Sequence, residues 1–332
     1  MGAATGALLG LAIGDALGHP TEFETFDEIA AHCPDWRGLP LPAPARVTDD
    51  TQMTLALARG LRTALERGPL TPLRLERPVR EEFVDWWRSP QNNRAPGMTC
   101  LKSCQRLSRP DRPWQEATDT GSKGCGANMR VAPLGLVRSL TERQLAGAAQ
   151  LQSGLTHGHP TALAASDLTA YTVRLLAEGT APGELPGLLR QYALRNRTRH
   201  DAFWLGDLAA HAQDHAPEEF TARGWDDCLL VLDRLDAALA RPSLDTDPCE
   251  ITGAGWIAEE AFATGLLCFL LLPEDPVAAV RRAAFSSGDS DSVACLTGAF
   301  AGAHHGEEAW PGDWVERIEY RDELLAFGAL WD

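Results

Sequence analysis

MGAATGALLGLAIGD, residues 1–15, is apolar almost throughout and carries glycine at positions 2, 6, 10 and 14. Residues four apart share one face of an α-helix, so these glycines form a single smooth stripe. Along such a stripe another helix approaches closely, because no side chain holds it off. The stretch therefore predicts a buried helix packed on a partner helix. It should end near Gly14-Asp15, before a loop carrying His19, Pro20 and Glu22. A secretory signal fits poorly, since no basic region leads the run and Asp15 interrupts it early.

Outward from this helix, a proline-rich connection over 39–45 leads into Thr48-Asp49-Asp50-Thr51. Met53, Ala56, Leu57, Gly60, Leu61, Ala64 and Leu65 then hold the i, i+3, i+4 spacing of a core-facing helix. Prolines 72, 78, 90, 96, 110 and 113 are expected to break 67–120 into short pieces, before a glycine-rich segment at 121–126. Further helices are expected at 142–152, 160–178, 184–195, 204–215, 225–240, 255–271, 275–285 and 292–304. Many of these follow Thr, Ser, Asp or Pro, residues suited to helix starts. No fixed-period repeat and no alternation of strand and helix occurs. The expected fold is all-α, one compact multi-helix domain over residues 1–332.

Composition agrees. The 332 residues are 44% hydrophobic and 23% charged, as in a folded globular protein. The apolar set is rich in Leu and Ala and poor in Val, Ile and Tyr, which favours helices over strands. A formal net charge of -16 repels nucleic-acid phosphates and anionic membranes unless a basic patch or bound cations intervene. Neither a membrane nor nucleic acid is expected as a partner, except nucleic acid as a modified substrate. Residues 261–272 are too short to span a bilayer and read as a core helix. The eight cysteines contain no Cys-x-x-Cys pair and read as reduced core thiols, so a cytoplasmic location is expected.

Two acidic clusters stand out. Thr48-Asp49-Asp50-Thr51 precedes one apolar helix, and Gly288-Asp289-Ser290-Asp291-Ser292 precedes another. Taken alone, the first reads sooner as a helix cap and the second equally as one, because Asp at an N-terminus satisfies free backbone N–H groups. Together, four carboxylates and several hydroxyls form the oxygen-rich set that Mg²⁺ or Mn²⁺ prefers.

GALLGLAIGDALGHPTE (6–22), TDDT (48–51), GSKGCGANMRVAPLGL (121–136), Thr156-His157, GWIAEEA (255–261) and SGDSDS (287–292) occur in this order along nearly the whole chain. In these blocks the sequence resembles the ADP-ribosylglycohydrolase family. The resemblance implies an orthogonal helical bundle with two Mg²⁺ (or Mn²⁺) ions in a cleft. Thr48, Asp49 and Asp50 would be ligands from one side, and Asp289, Asp291 and Ser292 from the other. Ser292 stands where the family more often has Thr, which keeps the hydroxyl oxygen. Glu22, Asp50 and Asp289 would be the catalytic groups. Substrate contacts would fall on Gly121, Ser122, Gly124, Cys125, Gly126, Met129, His157 and Asn93, with Cys125 at a position where many relatives have Asn.

The implied reaction is hydrolysis of the glycosidic bond between ADP-ribose and an acceptor on a protein or small molecule. Pro90-Gln91-Asn92-Asn93-Arg94 lies where some relatives place an acid near the scissile bond, so the general base and the acceptor stay open. A metal-dependent ADP-ribose sensor without catalysis is the alternative, and a metal phosphohydrolase would share the same carboxylates. His159 carries no clear role. His211 and His215 are spaced for one helix face and read as a solvated surface.

Overall fold

The computed structural model describes residues 2–214 and 216–332. Among them no strand forms, and the β-bridges are isolated, including Asp119 with His157 and Gly124 with Ile257. Eight helices position the site: α1 (Ala3–Gly18), α2 (Asp49–Glu66), α3 (Pro72–Arg88), α4 (Pro160–Ala177), α5 (Pro217–Ala240), α6 (Ala258–Leu271), α7 (Ser290–His305) and α8 (Arg321–Trp331).

The glycine stripe of α1 lies on α7 along its length. A Cβ at Gly10 would stand 2.2 Å from the carbonyl oxygen of Gly298, and one at Gly298 only 1.9 Å from that of Gly10. The two backbones touch, and every residue of α1 is buried. On the other faces of this pair lie α6 and α8, while α4 rests on α5 and α7. A second apolar cluster, including Leu57, Val79 and Phe83, joins α2 to α3.

The helices differ from the sequence expectation at three places. First, α1 runs past Gly14-Asp15 to Gly18. Asp15 is tolerated inside it because its carboxylate turns to the first amides of α2. Second, Pro78 sits inside α3 without ending it, and Leu75, Val79, Phe83 and Trp86 bury one face of that helix. Burial of about 1.5–3 kcal/mol per large side chain outweighs the ~3 kcal/mol penalty of an interior proline. Third, the expected 204–215 helix is two single turns, Ala202–Leu205 and Leu208–His211, parted at Gly206 with φ 59°. His215 of the expected pair lies outside the described residues, and His211 meets Asp207 at 3.5 Å on the surface.

Residues 261–271 fall in α6, whose Phe262, Leu266 and Phe269 are fully buried, and Leu272 follows its last residue. No described helix is long and apolar enough to cross a membrane. All eight cysteines are unpaired and seven are buried.

Asp167 of α4 gives a test of the core electrostatics. Gln150 Nε2 and Tyr192 Oη each donate to its carboxylate at 2.8 Å, and among the described residues no cation pairs with it. Burial pushes its pKa up to about 6. A raised carboxyl stabilises the fold below its unfolded pKa, and that contribution is lost as pH rises through the folded value. Asp167→Asn keeps the acceptor for Tyr192 but removes the charge. Its stability relative to wild type is expected to rise by about 2–3 kcal/mol from pH 4 to pH 8, the lost hydrogen bond from Gln150 being common to both. Urea unfolding at the two pH values checks this, and an equal difference at both would refute it.

Candidate active site

The C-terminal end of α1, the start of α2 and the start of α7 meet at one point, and their acidic residues converge there. Asp15 accepts hydrogen bonds from Thr48 N at 2.9 Å, Thr51 N at 3.0 Å and Thr51 Oγ1 at 2.5 Å. It therefore holds the start of α2 against α1. Thr48 Oγ1 caps the helix by accepting from Asp50 N at 3.3 Å. The capping function is thus performed by Thr48 and Asp15, which leaves the carboxylates of Asp49 and Asp50 facing outward into a cleft.

The 287–292 loop reaches the same place by a different device. Asp247 accepts from the amide and the hydroxyl of Ser287. Gly288 follows with φ 89°, and a Cβ there would stand 2.2 Å from the Ala254 carbonyl oxygen, so only glycine fits. Asp289 N then donates to that oxygen at 2.9 Å. The turn delivers Asp289, Asp291 and Ser292 to the wall opposite Asp49 and Asp50.

Five buried aspartates now share one small volume: Asp15, Asp49, Asp50, Asp289 and Asp291. Burial, then the charge of Asp291, pushes the pKa of Asp49, Asp50 and Asp289 well above the usual range, and that of Asp15 up to about 7. Glu22, at the edge, is pushed up to about 6, mainly by burial and against the pull of His19. Among the described residues, none donates a hydrogen bond to the buried Asp50 Oδ2. A buried carboxylate oxygen without a donor is costly unless a cation faces it. The donor set of carboxylates and a hydroxyl fits hard divalent cations.

The third wall is the glycine loop. Lys123 pairs with Asp227 and Glu259, its carbonyl accepts from Ala258 N at 2.9 Å, and Cys125 N donates to Trp256 O at 3.2 Å. These bonds fix residues 123–125 to the segment before α6. Cys125 Sγ donates to Asp289 Oδ2 at 2.8 Å and lies 3.4 Å from Ser292 Oγ. Burial and the neighbouring carboxylates push its thiol well up, so it stays protonated. His157 Nδ1 faces Thr156 Oγ1 at 2.9 Å, and Thr156 in turn accepts from the buried Arg130 at 2.8 Å. Burial and Arg130 lower the pKa of His157 to about 3, so its imidazole is neutral.

The cleft has a volume of about 380 Å³ and joins Glu22, Asp49, Asp50, Asp289, Asp291 and Ser292 to Gly124, Cys125, Gly126, Met129 and His157. A larger cavity of about 630 Å³ lies at Arg62, Leu140 and Trp331, but no group of carboxylates faces it.

The ADP-ribosylglycohydrolase family profile matches residues 2–332. The chain belongs to the ADP-ribosylglycohydrolase family. It is 26% identical to the ADP-ribosyl-[dinitrogen reductase] glycohydrolase of Rhodospirillum rubrum, over 98% of this chain and 97% of that one. It is 25% identical to the ADP-ribosylarginine hydrolase Tri1 of Serratia proteamaculans, over 97% of this chain and 76% of the relative. A solved structure described as an ADP-ribosylglycohydrolase-related protein complex superposes with a TM-score of 0.67 at 26% identity, covering 98% of this chain and 95% of that one. Family membership places the chain among hydrolases that reverse ADP-ribosylation.

Within this family frame, several residues singled out from the sequence lie outside the cleft wall. Thr48 is buried behind it as a cap. Gly121, Ser122 and Asn93 do not line it, although Ser122 Oγ lies 2.9 Å from Thr99 Oγ1, which does. In the 90–94 segment, Arg94 binds Glu319 and Val47 O, and Gln91 accepts from Tyr320 Oη at 2.7 Å. This segment is tied to the C-terminal region, and the wall itself is made by Ala95 and Gly97–Cys100. His159 caps α4 by accepting from Thr161 N.

The sequence reading missed three contributors. Asp15 was visible as an acid inside an apolar helix, a signal for a buried polar contact. Phe23 and Trp256 stack at the cleft mouth with centroids 5.3 Å apart, although 69% and 40% exposed respectively. Phe23 has φ 70°, which bulky residues rarely adopt. No sequence signal announces that pair.

Proposed function

We propose that this cleft, with two Mg²⁺ or Mn²⁺ ions, hydrolyses the glycosidic bond between ADP-ribose and an acceptor. The observation that carries the reading is the convergence of buried carboxylates around the unpartnered Asp50 Oδ2. Thr48, Asp49, Asp50, Asp289, Asp291 and Ser292 are the residues that would hold the ions, with Thr48 the one set behind the wall. Bound divalent cations polarise hydroxyl and water oxygens and lower the pKa of water.

The chain's own groups supply the rest. Glu22 sits at the cleft edge, where burial raises its carboxyl in the metal-free chain, and it is the group placed to exchange a proton with the water. Water delivers its hydroxyl to C1″ of the ribose as the C1″–acceptor bond breaks, Glu22 takes the water's proton, and that same proton passes on to the departing acceptor. Asp50 and Asp289 face the oxocarbenium-like positive charge that develops at that carbon. Neutral His157 offers Nε2 to the substrate, because its Nδ1 is engaged with Thr156. Gly124 and Gly126 leave room for the ribose and diphosphate beside it.

The name of the Serratia relative makes arginine-linked ADP-ribose the first substrate to try. The test is release of free ADP-ribose from arginine-, serine- and DNA-linked substrates with Mg²⁺ or Mn²⁺, wild type beside Asp289→Ala. Metal-dependent release from at least one substrate is expected, reduced at least ~100-fold in the variant, since even outer-shell losses cost about 10–100-fold. No release from any substrate while ADP-ribose still binds would overturn the hydrolase and leave a sensor.

A further inference from the structure

His19 follows the last residue of α1 and stands beside Glu22 and Asp291, which line the cleft. Its Nδ1, a carboxylate oxygen of Glu22 and one of Asp291 all lie within 4.8 Å of one another. His19 Nδ1 is buried and has no hydrogen-bond partner, and the Glu22 oxygen is 3.9 Å away, too far for a hydrogen bond. Two donors on one ion at bond lengths of about 2.0–2.2 Å stand about 3–4.4 Å apart, so a short side-chain adjustment brings all three onto one cation.

The three groups are held together by rigid packing. Gly18 abuts α7 so closely that a Cβ there would stand 2.4 Å from Ser290 O and 2.5 Å from Asp291 Cα. Thr21 Oγ1 is within 2.8 Å of Gly18 O, 2.7 Å of Ala284 O and 3.0 Å of Ser290 Oγ. Glu22 N donates to Gly18 O at 3.1 Å. The turn that carries His19 and Glu22 is therefore clamped onto the first turn of α7, which carries Asp291.

We propose that His19, one carboxylate oxygen of Glu22 and Asp291 form a mixed nitrogen–oxygen site for a first-row transition divalent cation at the edge of the cleft, which leaves the other Glu22 oxygen to take the water's proton. The imidazole gives the cleft a preference for Mn²⁺ over Mg²⁺. An all-oxygen set suits Mg²⁺, whereas imidazole suits transition ions and contributes little to a hard, strongly hydrated cation. This deepens the metal reading of the same cleft and rests on it.

Mn²⁺ itself is the probe. Its binding to the whole protein is followed by electron paramagnetic resonance, with electron spin echo modulation reporting directly bonded nitrogen. Wild type is expected to show nitrogen modulation from bound Mn²⁺, and His19→Ala to lose it. Mn²⁺ affinity should fall at least ~10-fold in that variant, with Mg²⁺ affinity nearly unchanged, because the loss of outer-shell partners alone already costs about 10–100-fold. His19 is part-exposed and the variant folds if its circular dichroism matches wild type. For a variant-free check, ¹⁵N-histidine labelling of wild type should change the modulation pattern. His157 also lines the cleft, so modulation that survives in His19→Ala and disappears in His157→Ala would overturn the assignment. Tight Mn²⁺ binding with no nitrogen modulation would overturn it while keeping an oxygen-only metal cleft. Absence of any Mn²⁺ or Mg²⁺ binding would overturn both this site and the proposed metal-dependent hydrolase.

Discussion

Asp291→Asn is expected to abolish metal-stimulated ADP-ribose release and, in the same protein, to stabilise the metal-free fold. The two effects have one origin. After burial, the charge of Asp291 is the largest influence raising Asp15, Asp49, Asp50 and Asp289. Without cations the cluster is a set of buried like charges, and each ionisation opposes the others. A carboxyl raised in the folded state supports the fold below its unfolded pKa of about 4, and that support is lost as pH rises through the folded value. Metal-free wild type should therefore lose stability steadily from about pH 4 to pH 8, since Asp15 lies at about 7 and its neighbours are well raised. Cations that bind only the folded state reverse this loss, adding about 2.7 kcal/mol at a concentration of 100 Kd. The metal-induced gain should grow with pH, because the ligands must shed protons to bind. In Asp291→Asn the slope with pH flattens, the metal-free melting temperature rises, and added Mg²⁺ or Mn²⁺ shifts it little. Ser292 N keeps its acceptor, since Asn retains the Oδ1 that receives it at 2.8 Å. Thermal unfolding with chelator and with each metal across this pH range is the measurement. A variant that is less stable without metal and keeps the full metal shift would show that Asp291 is structural.

The parts of the site that were legible in the sequence are those built from contiguous residues. Thr48–Thr51 and 287–292 each place carboxylates one or two residues apart at a helix start, and the structure brings both clusters to one cleft. What a local pattern could not settle was whether these acids cap helices or face a ligand. Here the roles are divided: Thr48 and Asp15 cap α2, which frees Asp49 and Asp50. Asp15 looked like a helix stop because its partners lie more than thirty residues away in sequence. The 90–94 segment was opaque for the same reason, since Arg94 finds Glu319 across 225 residues. Proline misled at Pro78, where tertiary burial of Phe83 and Trp86 outweighed a local helix-breaking preference. Gly206 acted the other way. Its positive φ ended a turn inside a stretch whose apolar spacing read as one helix.

The second large effect should come from the glycine contact that the first residues announce. Gly298→Ala is expected to destabilise the protein by about 3 kcal/mol or more, beyond the usual cost of overpacking. The added methyl would stand 1.9 Å from Gly10 O, and that atom is backbone inside a fully buried helix, so no rotamer change relieves the clash. The helices must part instead. Alanine normally favours a helix over glycine by about 1 kcal/mol, so the sign of the effect isolates the packing. Gly187 is the control: it lies in the Leu185–Asn196 helix with nothing within 4 Å of a Cβ, and Gly187→Ala should be neutral or stabilising. The consequence extends to the site, because α1 leads into the His19–Glu22 turn while the start of α7 carries the Asp289, Asp291 and Ser292 side chains of the cleft wall. A shift between these two helices therefore separates the walls of the cleft. Chemical unfolding of both variants, with Mn²⁺ titrations at a temperature where each is folded, measures the two effects. Gly298→Ala should lose metal affinity as well as stability, and Gly187→Ala neither. If Gly298→Ala unfolds easily yet binds Mn²⁺ as tightly as wild type, the cleft is positioned by the loops around Asp247 and Ala254 rather than by the paired helices.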